Sequence, residues 1–158
     1  MTPKAAQLRR FRVLGPFLLA ALAACSDSTP VQPIDDITEL IGDWDAYVLD
    51  VSAPGSPGLT RDLLAEGAAF RINVQPSGQN TAVLTLLGAS QVEIGTLVRT
   101  GDRLTLYRAV PSPDTSFATY TRLAPDSIRL DGATRFDFQG DGEPGDADLR
   151  TELARREG

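Results

Sequence analysis

From residue 41 onward the apolar residues of this chain fall at every second position, and Gly, Pro, Asp and Ser interrupt them at short intervals. Successive side chains of a strand point to opposite faces, so a period of two marks a half-buried strand. Phe70, Ile72 and Val74 alternate with Arg71, Asn73 and Gln75 before Pro76-Ser77-Gly78 turns the chain. Ala82, Leu84 and Leu86 carry the apolar face onward, with Val83 and Leu87 on the other side. In the next strand Val92, Ile94, Thr96 and Val98 form the apolar phase against Gln91, Glu93, Gly95 and Leu97. Gly101-Asp102 is a tight-hairpin signal, because glycine supplies the positive φ that such turns need. Leu104 and Leu106 follow, then Phe117, Thr119, Thr121 and Leu123, then Ile128 and Leu130 after Ala124-Pro125-Asp126. The stretch from Arg135 to Phe138 either extends that last strand or forms a short one after Asp131-Gly132.

Two short segments read as helical turns. One spans residues 36–41, with Asp36 as cap and Glu39 three positions later; the other spans 60–66, capped by Thr60 and ended by Gly67. Residues 147–156 fit both patterns: Leu149 and Leu153 are four apart, yet Ala147, Leu149, Thr151 and Leu153 alternate. An all-antiparallel chain of eight or nine short strands must hide its edges, and an up-and-down barrel is the simplest closure when consecutive strands are joined by tight turns. A two-sheet sandwich is the alternative, but long crossovers are not evident.

Composition narrows the chemistry. The chain has no His, so it forms no Ser-His-Asp or Cys-His triad and no His-ligated zinc site. Cys25 is its only cysteine, which excludes a two-thiol redox centre within one chain. A formal charge of −6 opposes the basic surface that nucleic acid requires. No nucleophile elbow and no phosphate-cradling glycine loop is present, and no carboxylate pair is singled out by position. We therefore expect no enzyme activity and assign no catalytic residue.

The first 24 residues read as an address. Lys4, Arg9, Arg10 and Arg12 precede an apolar run from Val13 to Ala24, too short for the ~20 residues of a membrane span. Leu22-Ala23-Ala24-Cys25 resembles the lipobox of bacterial lipoproteins. That resemblance implies lipidation of Cys25 with diacylglyceryl and a further acyl chain such as palmitate, after removal of residues 1–24. Stable anchoring takes more than one acyl chain, which a triacylated cysteine provides. Cleavage would take away four basic residues and no acid, leaving a still more acidic domain that anionic headgroups repel. Residues 26–36, rich in Ser and Pro, read as an extended tether. Ser26 rather than Asp follows Cys25, which favours the outer membrane of the cell envelope.

Leu40-Ile41-Gly42-Asp43-Trp44 places a Gly-x-Trp at the start of the first strand, after a short helical turn. Glu93 to Leu97 then lead through Gly101-Asp102 into Leu104-Thr105-Leu106, and Phe136 to Gly142 precede an alternating C-terminal segment. In these features residues 37–158 resemble the lipocalin-like domains of small bacterial lipoproteins. The resemblance implies that Trp44 plugs the closed end of the barrel, that an Arg covers it, and that 147–156 is the closing strand. Arg129, Arg150 and Arg155 are all candidates for the covering residue. A Thr-Asp-x-x-Tyr signature on a later strand is missing, since Ala118-Thr119-Tyr120 lacks the Asp.

Eight strands enclose room for side chains or for one small ligand. The expected lumen residues are Trp44, Phe70, Ile72, Leu84, Leu106, Phe117 and Thr119, with Leu86, Ile94, Leu104, Ile128, Leu130, Ala46, Ala82, Thr96, Thr121 and Arg108 on the same presumed face. Two functions follow: a carrier or sensor of a small apolar molecule, or a filled barrel serving as a structural or protein-interaction module of the envelope.

Asp137, Gln139, Asp141, Glu143 and Asp148 stand near the ligand positions of a calcium loop, with Gly142 at the sharp turn. The departures are Gln139, Pro144 and a short Asp at the last position. The alternative is a solvated acidic turn without metal.

Overall fold

The computed structural model describes residues 36–157, so Cys25 and residues 1–35 lie outside the described residues. A single 3₁₀ turn, Thr38–Leu40, precedes nine antiparallel strands: β1 (Gly42–Ala53), β2 (Ser56–Asp62), β3 (Ala69–Val74), β4 (Gln79–Leu86), β5 (Ala89–Thr100), β6 (Arg103–Val110), β7 (Asp114–Ala124), β8 (Ser127–Phe136) and β9 (Gly145–Arg155). β1 and β3 to β9 run up and down in sequence order and close through β1–β9 pairing. The fold is an all-β, lipocalin-like barrel of eight strands with β2 added as a ninth.

β1 makes the closure possible. Its first residues, Gly42–Asp45, pair with β3, its last, Asp50–Ala53, pair with β2, and β9 follows it from Trp44 to Ser52. A bulge between Ala46 and Val48 leaves Tyr47 as the extra residue. The inward phase therefore changes from Trp44 and Ala46 to Leu49 and Val51, and the added twist bends the strand around the barrel.

Turn chemistry agrees with the alternation. Gly101-Asp102 joins β5 to β6 in two residues with Gly101 at φ +62°, and Pro125-Asp126 joins β7 to β8. β8 runs unbroken through Gly132, where an added Cβ would meet the Phe117 carbonyl at 3.0 Å. Residues 145–155 are the closing strand, since ladders to both β1 and β8 override their helix propensity.

Three local expectations need correction. Thr60 lies in β2, and the helical-type turn begins after Asp62, whose Oδ1 accepts from the Ala65 amide at 3.1 Å; Gly67 at φ +89° ends it. The turn at 36–41 shrinks to Thr38–Leu40, with Asp36 accepting from the Thr38 amide at 2.8 Å. The third concerns phase. On β5 it is Glu93, Gly95 and Leu97 that face inward, while Ile94 is 44% exposed on the outer wall with Val92, and Thr96 shares that outward phase. On β7 Ala118 and Tyr120 face inward; Phe117 is 50% exposed beneath the Arg103 guanidinium, and Thr119 and Thr121 share its outward phase.

The core has two parts. Leu40, Trp44, Ile72, Val74, Ala82, Leu97, Leu104, Tyr120, Ile128 and Leu153 fill the base, and Leu49, Val51, Leu63 and Ala68 pack under the β2–β3 connection near the other end.

Candidate functional site

The base of the barrel is shut. Trp44 is 1% exposed and its Nε1 donates to the Leu40 carbonyl at 2.8 Å. The Arg155 guanidinium lies 4.4 Å over the Trp44 ring and donates to the carbonyls of Ile41 and, at 2.8 Å, Glu39. Of the three candidates, Arg155 is thus the arginine that covers the tryptophan. Arg150 pairs instead with Glu152, and Arg129 with Asp131 at 3.0 Å.

Glu39 fastens the 3₁₀ turn to the walls. It pairs with Arg99 of β5 and, at 2.7 Å, with Arg122 of β7. Arg99 in turn sits 4.4 Å over the Tyr120 ring. The side-chain amide of Asn80 and the Tyr120 hydroxyl are buried without a hydrogen-bond partner among the described residues.

Above this floor the barrel is hollow. A cavity of about 640 Å³ is bounded by Phe70, Ile72, Leu97, Leu104, Leu106 and Leu130 below and by Glu93, Arg108 and Asp114 toward the mouth. A second space of about 280 Å³ reaches toward Leu49, Val51, Leu63, Leu84, Leu86 and Phe136. Both are walled by Phe70, Ala82, Glu93, Thr134, Leu149 and Thr151, so they adjoin across shared side chains. Only about 10 Å³ separates the Trp44 floor from its neighbours, which is packed core.

At the mouth Gln91, Glu93, Arg108 and Asp114 form one hydrogen-bonded set. Arg108 donates from Nη1 to Glu93 Oε1 at 2.8 Å, from Nη2 to Asp114 Oδ2 at 2.8 Å and from Nε to the Ser112 carbonyl at 3.1 Å. Gln91 Nε2 also donates to Glu93 Oε1, at 3.0 Å. Arg108 reaches Glu93 because β5 and β6 nearly touch at Gly95, where an added Cβ would stand 2.5 Å from the Tyr107 carbonyl and 3.0 Å from Arg108 Cα.

Of the residues expected in the lumen, Phe70, Ile72, Leu84 and Leu106 line the cavities and Trp44 forms the floor. Phe117 borders the mouth with its ring turned to Arg103, and Thr119 is exposed outside. Sequence reading missed Leu49, Val51, Glu93, Thr134, Leu149 and Thr151 as wall residues. For Glu93 the usable signal was its phase, shared with Gly95 and the buried Leu97.

The acidic loop is organised around Asp137. Its carboxylate accepts from four backbone amides: Gln139 at 3.1 Å, Gly140 at 2.6 Å, Asp141 at 3.3 Å and Gly142 at 2.7 Å. These donors, the Gly142 amide foremost, hold the Asp137 carboxyl below the ordinary aspartate value. Asp141 accepts from the Glu143 amide at 3.0 Å, and Asp148 lies within β9, opposite Ala133. Gln139 and Glu143 are exposed. Among the described residues no three His, Cys, Asp or Glu side chains gather as a metal site.

No protein-family model matches this chain, and no curated protein matches it significantly. Fold and site alone therefore define the class: an up-and-down barrel with a shut base and a hollow, mostly apolar upper half.

Proposed function

We propose that the chain is a lipid-anchored protein of the bacterial envelope, at the outer membrane, whose barrel carries or senses a small, largely apolar molecule. The lumen carries this reading. Its volume of about 640 Å³ lies in the roughly 300–1,000 Å³ range of small-molecule sites, and its walls are mostly apolar, with charged groups at the mouth. Native mass spectrometry of the protein purified from its own host tests it directly. A co-purifying small molecule, or saturable binding of the neutral dye N-phenyl-1-naphthylamine, is expected; the absence of both defeats the carrier.

The anchor rests on Cys25 and the residues before it. Cys25→Ser should shift the protein from the membrane fraction to the soluble fraction, and the mature wild-type protein should carry acyl mass on its N-terminal cysteine. Wild-type protein found soluble and unmodified would remove the anchor from the proposal and leave the lumen untouched.

The outer wall supports a second reading, an interaction module. Ile94 stands opposite Val110, and Val92 opposite Val83, on the outer face of β4 to β6, so apolar side chains lie side by side there. Surface substitution of Ile94 by Lys would leave dye binding intact and remove any partner held by that wall.

A further inference from the structure

We infer that the lumen sorts its guests by head group, admitting alkyl amines and alcohols and rejecting carboxylates. The inference rests on the carrier reading and adds the chemistry of the guest. Two acids and one base, Glu93, Asp114 and Arg108, are the charged groups on the inward phase of their strands at the cavity mouth, beside Gln91. Arg135 also borders it, but lies on the outward phase of β8 and donates to the Pro144 carbonyl.

Arg108 is already flanked by two carboxylates. Three of its five N–H donors, one on each nitrogen, go to Glu93, Asp114 and the Ser112 carbonyl. A guest carboxylate at that guanidinium would sit beside both acids, in a group of three whose charges, one positive and two negative, already sum to −1. Like-charge repulsion from Glu93 and Asp114 opposes the new contact. A hydroxyl or an ammonium meets the opposite situation. Both hydrogen bonds to Glu93 fall on Oε1, so Oε2 stands ready as an acceptor. Below it the tail meets Leu97, Leu104, Leu106, Leu130 and Phe70, which offer no polar atom from their side chains.

The pattern is tested by displacing bound N-phenyl-1-naphthylamine from the purified protein at neutral pH. The competitors are dodecylamine, dodecanol and dodecanoate, which share one tail. The amine and the alcohol should displace the dye at about tenfold lower concentration than the carboxylate. Glu93→Gln removes one acid and frees part of Arg108, so it should improve dodecanoate binding to within about threefold of dodecanol. A gain of this kind cannot come from a misfolded variant. Equal or tighter displacement by dodecanoate in the wild type overturns head-group sorting while the carrier reading stands. Glu93→Gln without effect on dodecanoate also overturns it. If the dye does not bind and no small molecule co-purifies with the protein, both readings fall together.

Discussion

Arg155 and Trp44 meet face to face at the base of the barrel, the guanidinium 4.4 Å from the ring centre, although 111 residues separate them in sequence. The same guanidinium holds the carbonyls of Ile41 and Glu39, so one side chain joins the closing strand, the plug and the 3₁₀ turn. Arg155→Ala should cost about 2–4 kcal/mol, combining the cation–π contact with two charge-assisted hydrogen bonds. Urea unfolding followed by Trp44 fluorescence reads this cleanly, since Trp44 is the only tryptophan. An unchanged midpoint would show that the stacked guanidinium is incidental.

Gly95 lets β5 and β6 approach closely. A Cβ there would stand 2.5 Å from the Tyr107 carbonyl, a backbone atom that cannot swing aside. Gly95→Ala should therefore destabilise by roughly 1–3 kcal/mol, the usual cost of overpacking. It should also loosen the Arg108–Glu93 pair, visible as weaker discrimination among guests. Gly88→Ala is the control for added bulk, since nothing lies within 4 Å of its Cβ position. Its φ of +81° carries a separate, local strain cost.

Leu149 walls both lumen spaces. Replacing it with Trp should fill the hollow and weaken dye binding more than about tenfold. The melting temperature should stay within about 4 °C of wild type, because the larger ring enters vacant volume rather than packed core. Full dye affinity in a folded Leu149→Trp protein would place the binding site elsewhere.

Asp137 gives the 137–144 loop its pH dependence. Its carboxyl is held below the ordinary 3.8 by the amide of Gly142 and those of Gly140, Asp141 and Gln139. A carboxyl lowered in the folded state stabilises above its unfolded value, and that stability is lost as pH falls through the folded value. The stability gap between wild type and Asp137→Asn should thus be full at neutral pH and shrink below pH 3.8. Melting curves across this range check it. Because these amides already claim the carboxylate, millimolar Ca²⁺ should leave the wild-type melting temperature unmoved.

The fold was legible because turns and alternation agree along most of the chain, from Phe70-Ile72-Val74 through Gly101-Asp102 to the closing strand. Which phase faces inward was harder to read, and the reason is physical. A barrel with a wet mouth places polar side chains such as Gln91 and Glu93 inside near the rim and tolerates Val92 and Ile94 outside. Apolar content then ceases to mark the interior, and only long-range register decides. β2 was missed because Thr60 to Glu66 has the local look of a capped helix, and only pairing with Asp50–Ala53 makes its first part a strand. The floor was legible from Gly42-Asp43-Trp44; its covering arginine needed three-dimensional closure.

Glu39 binds Arg99 and Arg122 while its own carbonyl takes a bond from Arg155, so three separate walls meet at one short turn. Rigidity is consequently graded along the barrel axis. Amides near the base should exchange with deuterium slowest, and those of the rim loops fastest. A guest then needs no dedicated door: the supple rim breathes while the clamped bottom keeps the vessel's shape.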